Sequence, residues 1–454
     1  MQKLIAKYGA AAHLAILAVA PLFLSLFFPE TVTATVLLWL SLPAGVWIVL
    51  EPSLRNGESL RGARFRVVSE IATDPLFWAS LALVAFAGVR ALNWGIAMAY
   101  DAEAAKWYVT SARMPLFPGV VDAHGYLPFS ALVAMTVLTQ GCRHALGRSA
   151  RVSFLLVASV LAGLAAMTAV GLVAAGHEGA VAAAQGVSRA YSYVGVAFGL
   201  HLLAGVVAVA AMFERKWNVL IPLAFPALGG TLAGAFAFAP ALFGGVFAAF
   251  LLLLFVYALF SRSLEGAARF KFLVVSGVAL ALGGLFSVAL LPEQLFQEKL
   301  SPFLTFTFFD DAFFRVRSVL SGIAFRSWTE HLWIGSGIAS FPLDFRFAAE
   351  KADWELVKGG AMAVSNGWWL ALAERGIVGL VALLTPFCFL VFTFFRKAAK
   401  GRGVPHLMCW LGPLSLLLLL SSGAVDCSFL RPDAMLAAGA FMAVSAKGFR
   451  GMKR

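Results

Sequence analysis

Two adjacent carboxylates, three arginines and a Glu-His pair follow one another in FDDAFFRVRSVLSGIAFRSWTEHLW: Asp310 and Asp311; Arg315, Arg317 and Arg326; Glu330 and His331. A guanidinium fork suits the oxygens of a phosphate. A carboxylate or imidazole beside a bound phosphate ester is a candidate base for an attacking hydroxyl. Asp310 or Asp311 also suits the start of a helix, where it caps free N–H groups. At about 100° per residue, Phe313, Val316, Leu320 and Ile323 share one face of that helix. Arg315 and Arg326 point away from it. Arg317 falls among Phe313, Leu320 and Trp328, on the apolar side. A buried unpaired charge is costly, so Arg317 needs a partner: an Asp of the same loop, or a phosphate. Further on, VSNGWWLALAERGIVGLVALL carries Glu374 and Arg375 well inside an apolar helix, with Pro386 expected to kink it. That pair either neutralises itself near the headgroups, or Glu374 orients a loop residue or substrate from below.

These residues belong to one long polar excursion, Leu291–Leu380, with seven Lys and Arg between Pro292 and Ser365. The rest of the chain is the frame that must position it. Of 454 residues, 61% are apolar and 13% charged, and the mean hydropathy is +0.87. A soluble globular chain is about half apolar and about a quarter charged. The sequence therefore predicts an all-α integral membrane protein. The net charge of +12 does not point to nucleic acid, because the basic residues sit in short clusters between apolar runs.

An apolar run of about 20 residues crosses a bilayer as a helix. Twelve such runs are expected, near 9–28, 32–50, 75–98, 125–140, 152–175, 191–212, 219–238, 241–260, 272–292, 366–395, 404–422 and 433–446. The pair around Pro240 is alternatively one re-entrant feature. The start of the chain reads as a first span rather than a signal peptide, since a second apolar run follows at once. With the N-terminus inside, alternate loops hold 22 of the 35 basic residues, among them Arg55, Arg61, Arg64 and Arg66 in one loop and Arg143, Arg148 and Arg151 in the next. Arg90 and Arg375 fall within spans. The positive-inside rule then puts both termini in the cytoplasm. The organisation is spans one to nine over 1–292, an extracytoplasmic loop over 293–365 and spans ten to twelve over 366–454. Chemistry in that loop has no ATP and must use a substrate that is already activated.

Polar residues also collect in the outer segments 99–124, 176–190 and 423–432, which include His124, His177 and Arg189. No disulfide framework and no metal spacing is expected from Cys142, Cys388, Cys409 and Cys427.

The stretch from Arg317 through Trp328 to Gly335 and Gly337, followed by Asn366, Ala373, Glu374, Gly376 and Gly379, resembles the O-antigen ligase and O-antigen polymerase superfamily. The resemblance covers about 315–380 and is otherwise topological. It implies a metal-free, inverting glycosyltransferase of the bacterial inner membrane that needs no cofactor. Its partners would be a polyprenyl-pyrophosphate-linked glycan as donor and a glycan, lipid or protein hydroxyl as acceptor. It implies that Arg317 and Arg189 hold the pyrophosphate. Where the family has a histidine, the candidate base, this chain has Ser365, and a neutral serine does not replace imidazole near pH 7. Pro240 stands near the place of a family arginine. Asp310, Asp311, Glu330 and His331 are then the candidate bases, while Ser365, Asn366, Glu374 and Gly376 mark the motif. Two other readings stay open: a non-catalytic membrane component of a surface-polymer or pilus assembly complex, and a lipid-glycan transporter.

Overall fold

A computed structural model of the chain describes residues 2–28, 30–56, 59–92, 97–101, 106–111, 126–175, 191–238, 266–290, 311–338, 340–341, 366–395, 404–425 and 427–448. Among these, seven helices are long and apolar enough to cross a membrane: Thr31–Ser53, Pro75–Leu92, Ser149–Val173, Val194–Glu214, Asn218–Phe238, Gly266–Phe286 and Gly367–Phe392. Shorter apolar helices span Tyr8–Leu24, Met408–Ala424 and Pro432–Ala446. The chain is a multi-pass membrane protein. The expected run 241–260, with Pro240, lies outside the described residues.

In chain order the helices are α1 (Gln2–Phe27), α2 (Glu30–Asn56), α3 (Leu60–Ala72) and α4 (Pro75–Leu92), then α5 (Tyr126–His144), α6 (Arg148–Ala174) and α7 (Tyr191–Glu214). A composite segment follows, ending in α8 (Thr231–Phe238). Then come α9 (Gly266–Leu290), α10 (Asp311–Glu330), α11 (Gly367–Phe395), α12 (Val404–Val425) and α13 (Pro432–Gly448). A helix that is apolar all round belongs inside a bundle. So α7 is the central rod, and every residue from Val194 to Phe213 is buried, with α6, α8, α12 and α13 packed on it. By contrast α2 turns Trp39, Leu42 and Val46 outward, and α9 does the same with Phe270, Leu282 and Leu285.

The described residues depart from the expected frame of plain spans at two places. In the first, the helix described within the run 75–98 is Pro75–Leu92. Ala97–Asp101 instead pairs antiparallel with Lys106–Ser111, with Tyr100 opposite Trp107 and Asp101 opposite Lys106. The Trp-Tyr-Val-Thr run 107–110 favours a strand.

A second departure is the run 219–238, which is not a plain α-helix. It begins as a 3-10 turn (Asn218–Leu223), passes through a π segment (Phe225–Gly230) and only then becomes α8. Pro222 and Pro226 lack the N–H that an i→i−4 ladder needs there. The π segment lets three backbones meet. A Cβ on Gly163 of α6 would overlap the carbonyl of Pro226, and one on Gly283 of α9 would overlap Gly229.

Candidate functional site

The site is built around a break in α11. Gly376 has φ 65° and ψ −173°, non-helical values inside an otherwise continuous helix. A positive φ is a conformation that glycine alone adopts readily. Ten residues before Pro386, the non-helical residue is Gly376, where a second chain segment stands ready to take up the freed backbone groups.

In an unbroken helix Ile377 would donate to Ala373 and Val378 to Glu374. Here the turn that follows α10 occupies both positions. Ile377 N donates to Leu332 O at 3.0 Å and Val378 N to Trp333 O at 3.0 Å. In return Ser336 N donates to Ala373 O at 2.8 Å and Gly337 N to Glu374 O at 3.1 Å. The Ser336 hydroxyl adds a bond to Ala373 O at 3.1 Å. Every donor and acceptor set free by the break thus has a partner, as buried backbone requires. The contact is too close for side chains. Gly335, at φ 73°, and Gly376 would each clash with the other's segment if they carried a Cβ: Gly335 against Glu374 and Arg375, Gly376 against Trp333 and Ile334.

Arg90 ties the two segments to α4. It is the largest fully buried side chain described. Its Nη1 donates to Glu374 O at 2.6 Å, and its Nη2 donates to the Ile334 carbonyl. Its guanidinium carbon lies 4.7 Å from the centre of the Phe86 ring, a cation–π contact. The Glu374 side chain is buried and lies within electrostatic reach of both Arg90 and Arg375. Glu374 and Arg375 are therefore not a self-contained pair. They belong to a cluster of three charges in which Glu374 serves through its carbonyl as well as its carboxylate.

A small apolar core joins α10 to the start of α11. Leu320, Ile323 and Ala324 meet Phe341, Ala373 and Cys427, with Val319, Trp369 and Leu370 around them. Leu320 and Ile323, expected on the apolar face of α10, are fully buried there. Phe325 and Trp328 of α10 stand edge-on or tilted to Trp369 at 5.3 and 6.0 Å. Asn366 caps α11, its Oδ1 accepting from Trp368 N at 3.0 Å and Trp369 N at 3.3 Å.

The candidates from the sequence fare differently. Glu374 and Gly376 meet the Trp333–Gly337 turn at the break, while Asn366 caps the start of the same helix. Asp311 is the first residue of α10, and its side chain lies outside what the structure describes. Arg317 is half-buried. Arg326, expected to point away, is half-buried too. Glu330 and His331 are exposed at the far end of α10. A rise of 1.5 Å per residue puts them roughly 20 Å along the axis from Arg317, and Asp311 only about 9 Å. Asp310, Arg189 and Ser365 lie outside the described residues. Among the described residues no group of His, Cys, Asp and Glu has the makings of a metal site.

Sequence reasoning missed Arg90 as a member of the site. The signal was present: an arginine inside an apolar run needs a partner, since charge at membrane depth is costly. What the arrangement offers chemically is a fixed platform. It locks the arginine-bearing helix α10 to α4 and α11. No protein-family model matches the chain, and no curated protein matches it.

Proposed function

We propose that the chain is an envelope glycan ligase or polymerase of the bacterial inner membrane. In this reading it moves a glycan from a polyprenyl-pyrophosphate carrier to an acceptor hydroxyl on the extracytoplasmic face. The twelve-span topology, with both termini in the cytoplasm, is part of the proposal. One observation carries it. The two halves of the motif that resembles the O-antigen ligase and polymerase superfamily, Arg317 to Gly337 and Asn366 to Gly379, interlock through backbone hydrogen bonds at Gly376. Two stretches that share a resemblance and also share one docked site form a functional unit more readily than two unrelated loops do.

The reaction is an inverting displacement. The acceptor oxygen forms a bond to the anomeric carbon, and the bond from that carbon to the pyrophosphate oxygen breaks. The pyrophosphate leaves on the carrier, its growing charge met by Arg317 and Arg189. A base takes the proton of the acceptor hydroxyl. We favour Asp311, or its chain neighbour Asp310, over Glu330 or His331 for that task, because Asp311 opens the end of α10 that carries Arg317. Ser365 motivates a second reading, in which the platform holds a partner of a surface-polymer or pilus assembly machine and does no chemistry.

The test is a deletion strain in which carrier-linked glycan and finished surface polymer are quantified together, complemented with wild type, Arg317→Ala and Ser365→His. Carrier-linked glycan is expected to accumulate in the deletion. Arg317→Ala, at normal protein level, should behave like the deletion. Normal polymer from a well-expressed Arg317→Ala would end the transferase reading, and dependence on the 293–365 loop alone would then favour the scaffold.

A further inference from the structure

Helix α3 lies between two membrane helices and is joined to them by residues 57–59 and by Thr73 and Asp74. Links that short hold it at the bilayer surface. Ser59 caps its start, accepting from Gly62 N at 3.2 Å. Ala63 and Val67 are buried, and the helix packs on α2. Another side is spent within the protein: Arg66 meets Glu70 at 3.8 Å, and Glu70 meets His144 of α5 at 3.2 Å.

The remaining side is the unusual one. Leu60, Phe65 and Val68 are 59%, 67% and 53% exposed, and Arg61 and Arg64 are exposed beside them. At 100° per residue these five residues share an arc of about 140°. Neither arginine forms an ion pair among the described residues. Large apolar side chains interleaved with arginines suit neither bulk water nor the hydrocarbon core. They suit the boundary between the two, where rings sink and guanidinium groups reach up to phosphates on long stems. Trp78, at the start of α4, marks that level. It is 55% exposed, and its Nε1 donates to Ala72 O at 2.7 Å, so an interfacial indole is fastened to the end of α3.

We propose that α3 lies in the plane of the membrane surface and binds acidic phospholipid headgroups through Arg61 and Arg64, with Leu60, Phe65 and Val68 inserted beside them. The occupant is the lipid leaflet and not a protein, because charge and apolar surface alternate along one narrow face whose ends are fixed at membrane level.

The test uses the full chain in nanodiscs of phosphatidylcholine alone or of phosphatidylcholine with phosphatidylglycerol. The acidic lipid is expected to raise the thermal midpoint of the wild type by roughly 2–4 °C. Arg61→Gln/Arg64→Gln should match the wild type in neutral discs and lose most of that increment in acidic ones. An equal increment in both proteins, or none in the wild type, would overturn the proposal. A second measurement places the face directly. Phe65→Cys is made in a Cys388→Ser background, since the other cysteines are buried, and is labelled with a fluorophore. Quenching by a nitroxide carried on lipid, and not by a soluble quencher, is expected. Preferential quenching from water would overturn it and mark α3 as a surface for a soluble partner instead.

Discussion

Two stretches of irregular backbone run through this bundle, and they are kept in place by different forces. At Gly376 the helix opens, and a foreign turn supplies the missing hydrogen bonds, with Arg90 bridging the join. At Phe225–Gly230 the helix does not open. It widens into a π turn, and glycines of three segments let it press against α6 and α9. The first is held by polar pairing between distant segments and the second by shape. Polar pairing needs a charge at membrane depth, which is the costly element and the one to associate with function. Close packing of glycines needs no charge and stabilises the bundle wherever it occurs.

The largest effect is expected where both demands meet. Gly376→Val forces a branched side chain into a left-handed conformation and into the backbone of Trp333 and Ile334. A loss of about 3–5 kcal/mol should leave little monodisperse protein after solubilisation. Recovery near wild type would mean that the turn does not dock at all. Arg90→Met keeps the length of the side chain and removes the donors to Glu374 and Ile334. About 3 kcal/mol is expected, with faster protease cleavage in 331–341. Arg90→Lys, which keeps one charge and one direction of donation, should fall between.

Gly163→Ala tests the other region. Crowding against Pro226 should cost about 1–3 kcal/mol and lower the thermal midpoint while leaving cleavage of 331–341 unchanged. Faster cleavage in that variant would erase the distinction drawn between the two regions. The smallest effect is expected at the cap. Asn366→Ala should cost about 1 kcal/mol and Asn366→Asp almost nothing, by thermal denaturation of both. A larger loss would show that the first half of α11 depends on its own cap more than on the docked turn.

Much of the frame was legible from the chain. Apolar runs located the long helices, and the period of α10 picked out Leu320 and Ile323. What escaped was of three kinds. Arg90 was visibly misplaced in an apolar run, but its partners are 284 and 244 residues away, and periodicity says nothing about separations of that size. Gly376 was read only as a motif glycine, because its break depends on another segment that compensates for the opening. The π turn escaped because its apolar content is that of a plain span, and the strand pair of 97–101 with 106–111 because its segment was read only as a polar outer loop. The arginines of α10 were legible as types, yet which carboxylate stands nearest to them depends on chain outside the described residues.

The clamp at Arg90 also bears on how the protein is made. The helix that carries it emerges from the ribosome long before Glu374 exists. At about 5–20 residues per second, a separation of 284 residues is a wait of roughly 15–60 s. During that time the guanidinium has been delivered to the membrane without either of the carbonyls it will hold. It sits in the last turn of α4, close enough to the end for its long stem to reach headgroups in the interval. Insertion of the early helices and closure of the site are thereby separated in time, and the half-made chain waits for α11 with a basic anchor resting at the surface.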